Sequence, residues 1–142
     1  MAVLALFPGS FDPFTCGHEA ILRRVLPLFD KVVVAVGVNS EKTYMFTVEE
    51  RMNRIREMMK GCPAVEVTSY SGMTIDLCHQ LGAKVIIRGI RTSKDLEYEQ
   101  TIAAVNRMQD SSIETLLLLA DPEHVNISAT LEREKLSHSV TQ

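Results

Sequence analysis

Continuous apolar runs alternate along this chain with stretches whose apolar residues recur every three or four positions. The first run, Ala2-Val3-Leu4-Ala5-Leu6-Phe7, reads as a buried strand. Ile21, Leu22, Val25 and Leu26 then fall at helical spacing over 19–26, and Pro27 closes that helix. Residues 31–38, rich in valine, read as a second strand buried on both faces. Thr47-Val48-Glu49-Glu50 matches a capping box, and Val48, Met52, Ile55 and Met59 share one face of the helix it opens. Gly61-Cys62-Pro63 ends it. A short strand over 65–68 precedes a helix over 74–81, with Gly82 placed to stop it. A fourth strand over 83–87 leads directly into Arg88-Gly89-Ile90-Arg91. Ser93 or Asp95 opens a long helix to about Gln109, a fifth strand covers 115–119, and a short helix over 128–136 starts at a serine cap.

Strand followed by helix, with continuous rather than alternating apolar strands, specifies an α/β fold: a doubly wound, five-stranded parallel sheet with helices on both faces. Such sheets bind ligands beyond the carboxyl ends of their strands, where the strand order reverses. The segments expected to matter are therefore 10–18, 39–46, 69–73, 88–94 and 120–127. If the first and fourth strands are neighbours at the reversal, His18 and Arg91 face one crevice.

Composition narrows the class. At 142 residues a single domain spanning 1–142 is expected. An apolar fraction of 46% and a charged fraction of 23% are those of an ordinary globule, with no run long enough for a bilayer span and no basic secretory start. Cys16, Cys62 and Cys78 are odd in number and form no Cys-x-x-Cys pair, which favours reduced thiols in a cytoplasm. The net charge of −3 gives no field for nucleic acid, so any anion site must be local. Walker and Gly-x-Gly-x-x-Gly phosphate loops, a nucleophile elbow and a metal-type histidine cluster are all missing from the sequence.

The local site begins at Pro8-Gly9-Ser10-Phe11-Asp12-Pro13-Phe14-Thr15-Cys16-Gly17-His18, where a strand turns into a helix N-terminus. Free backbone N–H groups and the helix dipole favour an anion there. Ser10 offers a hydroxyl and His18 a ring N–H. Thr15 also reads as a plain helix cap, and Asp12-Pro13 as an ordinary turn pair. Arg88 and Arg91 place two phosphate-matching forks in one short loop, although pairing with Asp95, Glu97 or Glu99 is the plainer reading of each. Lys42 lies in the corresponding loop after the second strand, and the set His18, Lys42, Arg88 and Arg91 is expected to converge on polyphosphate.

Gly9-Ser10-Phe11-Asp12-Pro13 followed by Thr15-Cys16-Gly17-His18 resembles the signature of the nucleotidyltransferase superfamily, whose fold is Rossmann-like. Thr-x-Gly-His, Met45-Phe46 with Glu49-Glu50-Arg51, Ile87-Arg88-Gly89-Ile90-Arg91, Glu97-Tyr98-Glu99 and Asn106-Arg107 are similar to the phosphopantetheine adenylyltransferase family from Leu6 to about Glu134. The resemblance implies catalytic roles for His18, Ser10, Lys42 and Arg91. It implies ATP contacts at Ser10, Phe11, His18, Gly89, Ile90, Arg91 and Glu99, and at His124, Val125, Asn126, Ile127, Ser128, Ala129 and Thr130. Ser10, Lys42, Thr74 and Arg88 would bind 4′-phosphopantetheine. It further implies Mg²⁺ accompanying ATP with no metal-binding residue of the chain, and a cytoplasmic homohexamer serving coenzyme A synthesis, with neither nucleic acid nor membrane as partner. Ala129 stands where relatives usually have a hydroxyl, Thr74 where an apolar residue is common, and Ser10 where threonine is commoner. Relatives usually continue through another helical segment beyond the position of Gln142, so a trimmed final helix is expected.

The implied reaction is attack by the phosphate of 4′-phosphopantetheine on the α-phosphorus of ATP. It needs no general base, because the nucleophile is already an anion. Transfer to nicotinamide mononucleotide, a non-catalytic nucleotide sensor of the same fold, and a flavodoxin-like carrier are the alternatives. Thr15 and the arginine pair disfavour the first, and the absence of Trp disfavours the last.

Overall fold

The computed structural model describes residues 3–124 together with Arg133 and Leu136. Its elements are β1 (Leu4–Gly9), α1 (Cys16–Val25), β2 (Lys31–Gly37), α2 (Val48–Met58), β3 (Val65–Tyr70), α3 (Thr74–Leu81), β4 (Val85–Ile90), α4 (Ser93–Gln109) and β5 (Glu114–Leu119). Short 3₁₀ turns follow α1 at Leu26–Leu28 and β5 at Pro122–His124. All neighbouring strands pair in parallel, in the order β3-β2-β1-β4-β5. The order reverses between β1 and β4, where the doubly wound reading of the sequence requires it.

Alternate strand residues point to opposite faces, so each apolar run feeds two cores. Ala5, Phe7, Val32, Val34, Val36 and Ile87 pack with Ile21, Leu22 and Val25 of α1 and Met52 and Ile55 of α2. Leu6, Val33, Ala35 and Ile86 pack on the other face with Ile75, Leu77 and Cys78 of α3. The capping box of α2 is closed: the Glu50 N–H donates to Thr47 Oγ1 at 3.1 Å and the Thr47 N–H to Glu50 Oε1 at 3.1 Å. Gly82 ends α3 at φ 75°, a conformation glycine adopts without strain. α4 is different. Only Glu99 of its residues is buried, whereas Val105 and Met108 are exposed.

Several boundaries differ from the sequence expectation. β1 runs on through Pro8 and Gly9, and β3 continues to Tyr70. α1 begins at Cys16, so His18 is a helical residue of its first turn. Arg88-Gly89-Ile90 belongs to β4, not to a loop, because Arg88, Gly89 and Ile90 pair with Leu117, Leu118 and Leu119. The helix expected over 128–136 lies outside the described residues apart from Arg133 and Leu136.

Candidate active site

The site opens where two strands separate. β1 pairs with β2 along its whole length, from Leu4 opposite Lys31 to Gly9 opposite Val36. With β4 it pairs only at Ala5 opposite Val85 and Leu6 opposite Ile86. Beyond that point the strands diverge. The Arg88 side chain bridges the gap, its Nη1 donating to the Pro8 carbonyl at 2.5 Å.

Arg88 is fixed on its other side by Glu99 of α4. Nε donates to Glu99 Oε2 at 2.9 Å and Nη2 to Oε1 at 2.7 Å, a bidentate pair of the strong, planar kind. Glu99 is buried, so its carboxylate needs this partner. Of the five N–H donors on a guanidinium, these bonds occupy three. Asp95 holds the next cation: its Oδ2 accepts from the Arg91 N–H at 3.0 Å and lies 3.3 Å from Arg91 Nε. Both arginines thus have the acidic partners that the plainer reading of the sequence gave them, and both still line the cavity described below.

His18 occupies the position that glutamate takes in an ordinary capping box. The His18 N–H donates to Thr15 Oγ1 at 3.3 Å, and the Thr15 N–H donates to His18 Nδ1 at 2.9 Å. An Nδ1 that accepts carries no proton, so the neutral ring carries its proton on Nε2. Burial, then the charges of Arg88 and Arg91, hold the His18 pKa down to about 4. At neutral pH the imidazole is therefore an uncharged donor. Its ring stands edge-on to Phe11 (centroids 5.0 Å apart, planes at 85°) and tilts over Phe14 at 5.4 Å. Phe11 itself has φ 46° and is buried against Phe7. A β-carbon at position 9 would lie 2.8 Å from Phe11 Cζ, so glycine there admits the ring.

Two residues that the sequence reading left without a functional role tie the remaining loop to this stack. Asp12 is buried, and its carboxylate accepts from the N–H groups of Met45 and Phe46 at 2.8 and 2.9 Å. It thereby pins the segment that carries Lys42. Arg51 of α2 is 2% exposed, and its Nη1 donates to the carbonyls of Ser10 (2.8 Å) and Gly37 (3.0 Å), clipping the ends of β1 and β2 together.

These elements enclose two adjoining cavities. The first, about 380 Å³, is lined by Ser10, Phe11, His18, Gly89, Ile90, Arg91, Glu99 and His124, with Tyr98 and Arg133. The second, about 860 Å³, is lined by Lys42, Tyr44, Thr74, Ile102 and Asn106. Pro8, Gly9, Ser10, Arg88 and Glu99 border both, so Ser10 and Arg88 form the partition. The structure brings Ser10, His18, Arg88 and Arg91 together around one cavity, and places Lys42 and Thr74 on the other side of that partition. Glu99 faces both cavities, but its two carboxylate oxygens are taken by Arg88. His124 lies at the mouth of the first, its Nδ1 3.9 Å from Cys16 Sγ. Single ligand atoms of Asp121, Glu123 and His124 lie within 4.8 Å of one another, with Asp121 ion-paired to Arg24 at 3.3 Å. Val125, Asn126, Ile127, Ser128, Ala129 and Thr130 lie outside the described residues.

Comparison with known proteins agrees with this geometry. The Cytidylyltransferase-like family model matches residues 6–135. The chain is 50% identical to the phosphopantetheine adenylyltransferase of Flavobacterium psychrophilum over 92% of its own length and 85% of that protein's. It is 46% identical to the enzyme of that name from Bacteroides fragilis, over 95% and 89%. Its fold is similar to that of the bifunctional NMN adenylyltransferase/ADP ribose pyrophosphatase of Francisella tularensis, with TM-score 0.74, 17% identity, and coverage of 98% of this chain and 43% of that one. On the Thr-x-Gly-His turn, the split between β1 and β4, and this level of identity, the chain belongs to the phosphopantetheine adenylyltransferase family.

Proposed function

We propose that the chain transfers the adenylyl group of ATP to 4′-phosphopantetheine, giving 3′-dephospho-coenzyme A and pyrophosphate. The observation that carries the reading is a pair of cavities that meet at Ser10 and Arg88, each with its own cations. A nucleotide tail would lie in the first, against His18 and Arg91. A phosphate on a long flexible arm would lie in the second, near Lys42, with the arm running past Thr74 and Asn106.

The transfer forms a bond from the acceptor phosphate oxygen to the α-phosphorus and breaks the α–β bridge, whose electrons leave with pyrophosphate. The site asks only for alignment and charge stabilisation. His18 would donate from Nε2 to an α-phosphate oxygen, and its low pKa keeps that donor neutral and fixed in tautomer. Ser10 would place its hydroxyl at the junction, and Arg88 would spend its remaining N–H donors on the two phosphates. Mg²⁺ would supply further charge neutralisation on the triphosphate. Asp12, Asp95 and Glu99, the carboxylates lining the first cavity, are each engaged by amides or arginines, so the ion would ride on the nucleotide instead of on the chain.

A homohexamer is part of the same reading. The exposed Val105 and Met108, three positions apart on α4, are apolar side chains that a second copy would cover. The three free thiols, Cys16, Cys62 and Cys78, support a reducing compartment, the cytoplasm. Among the described residues no helix is long and apolar enough to cross a membrane.

The test is pyrophosphate release from ATP with 4′-phosphopantetheine and, separately, nicotinamide mononucleotide as acceptor. Release with the first alone is expected. Release with nicotinamide mononucleotide only, or ATP binding without release, overturns the reading.

A further inference from the structure

Arg51 carries a buried charge with no ionic partner among the described residues. Its guanidinium donates only to backbone carbonyls, those of Ser10 and Gly37, through Nη1. Its Nε is buried and makes no hydrogen bond. The Tyr44 ring covers the group, 4.0 Å from Cζ to the ring centroid. Asp12 uses both carboxylate oxygens on the amides of Met45 and Phe46, and among the described residues no acid forms an ion pair with Arg51. A charge removed from water is costly unless it is paired, and neutral dipoles alone compensate it poorly. A protein that keeps such a cation has its counter-ion elsewhere. Ser10, Gly37 and Tyr44, the three residues the guanidinium touches, all line the second cavity. The cation therefore borders that cavity behind the Ser10 and Gly37 backbone and the Tyr44 ring.

We propose that the buried charge of Arg51 is balanced at short range, without direct contact, by the acceptor phosphate, and so sets the affinity of the second cavity for that phosphate. It acts through the Ser10 and Gly37 backbone and across the Tyr44 ring as a positioning residue. This rests on the reading of the second cavity as the acceptor site. Lys42 and Arg88 meet the phosphate from the cavity side, and Arg88 is already neutralised by Glu99. Arg51 has no neutralising acid among the described residues.

Arg51→Lys separates this role from simple bracing, because a buried lysine loses its proton far more readily than arginine. Binding of 4′-phosphopantetheine and of ATP would be followed by calorimetry at pH 7 and pH 9.5. Relative to wild type, Arg51→Lys should lose about tenfold in phosphopantetheine affinity between the two pH values, with ATP affinity tracking wild type. Arg51→Met should show the same loss at both pH values. If Arg51→Met does not fold, the lysine variant alone decides. An affinity ratio of Arg51→Lys to wild type that stays constant with pH, or equal losses for both ligands in either variant, overturns the proposal. If wild type itself does not bind phosphopantetheine, the acceptor reading fails. Inorganic phosphate, read by its shift of the thermal unfolding midpoint, then tests the cation: a shift that shrinks in Arg51→Lys at pH 9.5 supports it, and an unchanged shift overturns it.

Discussion

The backbone N–H of Thr15 donates to Nδ1 of His18 at 2.9 Å, which leaves Nε2 as the ring's only donor. A histidine so held, with its pKa near 4, does not gain charge anywhere in the neutral range. For the proposed transfer, kcat/KM should therefore show no ionisation near pH 6.5 attributable to this ring. His18→Ala should lower kcat by about 10²–10³, the loss typical of one oxyanion donor, with a much smaller change in ATP affinity. A pH–rate profile and a binding titration of the variant check both parts. Loss of ATP affinity with unchanged kcat would sink the assignment.

The same depressed pKa has a consequence for folding. In the unfolded chain the ring titrates near its ordinary value of about 6.5, and in the folded chain near 4. The unfolded state binds the extra proton between those values, so this contribution is complete above about pH 6.5 and is lost as the pH falls toward 4. Urea unfolding of wild type and His18→Gln at pH 7 and pH 4.5 should show the larger acid-dependent loss in wild type.

Asp12→Asn replaces one accepting oxygen by an amide nitrogen that must face the N–H of Met45 or Phe46. A buried donor left unsatisfied costs about 1–3 kcal/mol. The urea midpoint should fall accordingly. Because the loop it pins carries Lys42, KM for the acceptor should rise more than KM for ATP.

Glu99→Ala strips the carboxylate from the Arg88 guanidinium and should cost about 3–5 kcal/mol, as removal of one partner of a buried pair does. The double variant Glu99→Met with Arg88→Met should recover much of that stability but none of the turnover. Equilibrium unfolding of the three proteins, with activity measured in parallel, distinguishes a structural pair from a catalytic one.

The sheet was legible because its inner strands are unbroken apolar runs: all five residues from Val32 to Val36 are buried. The strand-end segments were legible as the site for the same reason. Arg88 reads as a loop residue because it ends the apolar run and precedes a glycine, a poor strand former, and only the pairing with β5 shows that both continue β4. Arg51 stands out in the sequence only through its Glu-Glu-Arg motif, although it lies three residues after Val48 and four before Ile55, on the face that packs inward. Asp12 reads locally as a turn residue, and its bonds to Met45 and Phe46 span more than thirty positions, beyond any local pattern. His18 was identifiable, but its tautomer depends on a backbone N–H whose direction no sequence motif states.

The aromatic pile makes position 9 unforgiving. The smallest side chain there, a single methyl, would have to shove the Phe11 ring aside, and that ring is the wall against which the imidazole of His18 leans. Gly9 has no side chain to touch a ligand, yet enlarging it would tilt the neutral imidazole of His18. The set of the imidazole is thus held by an empty space two links down the stack.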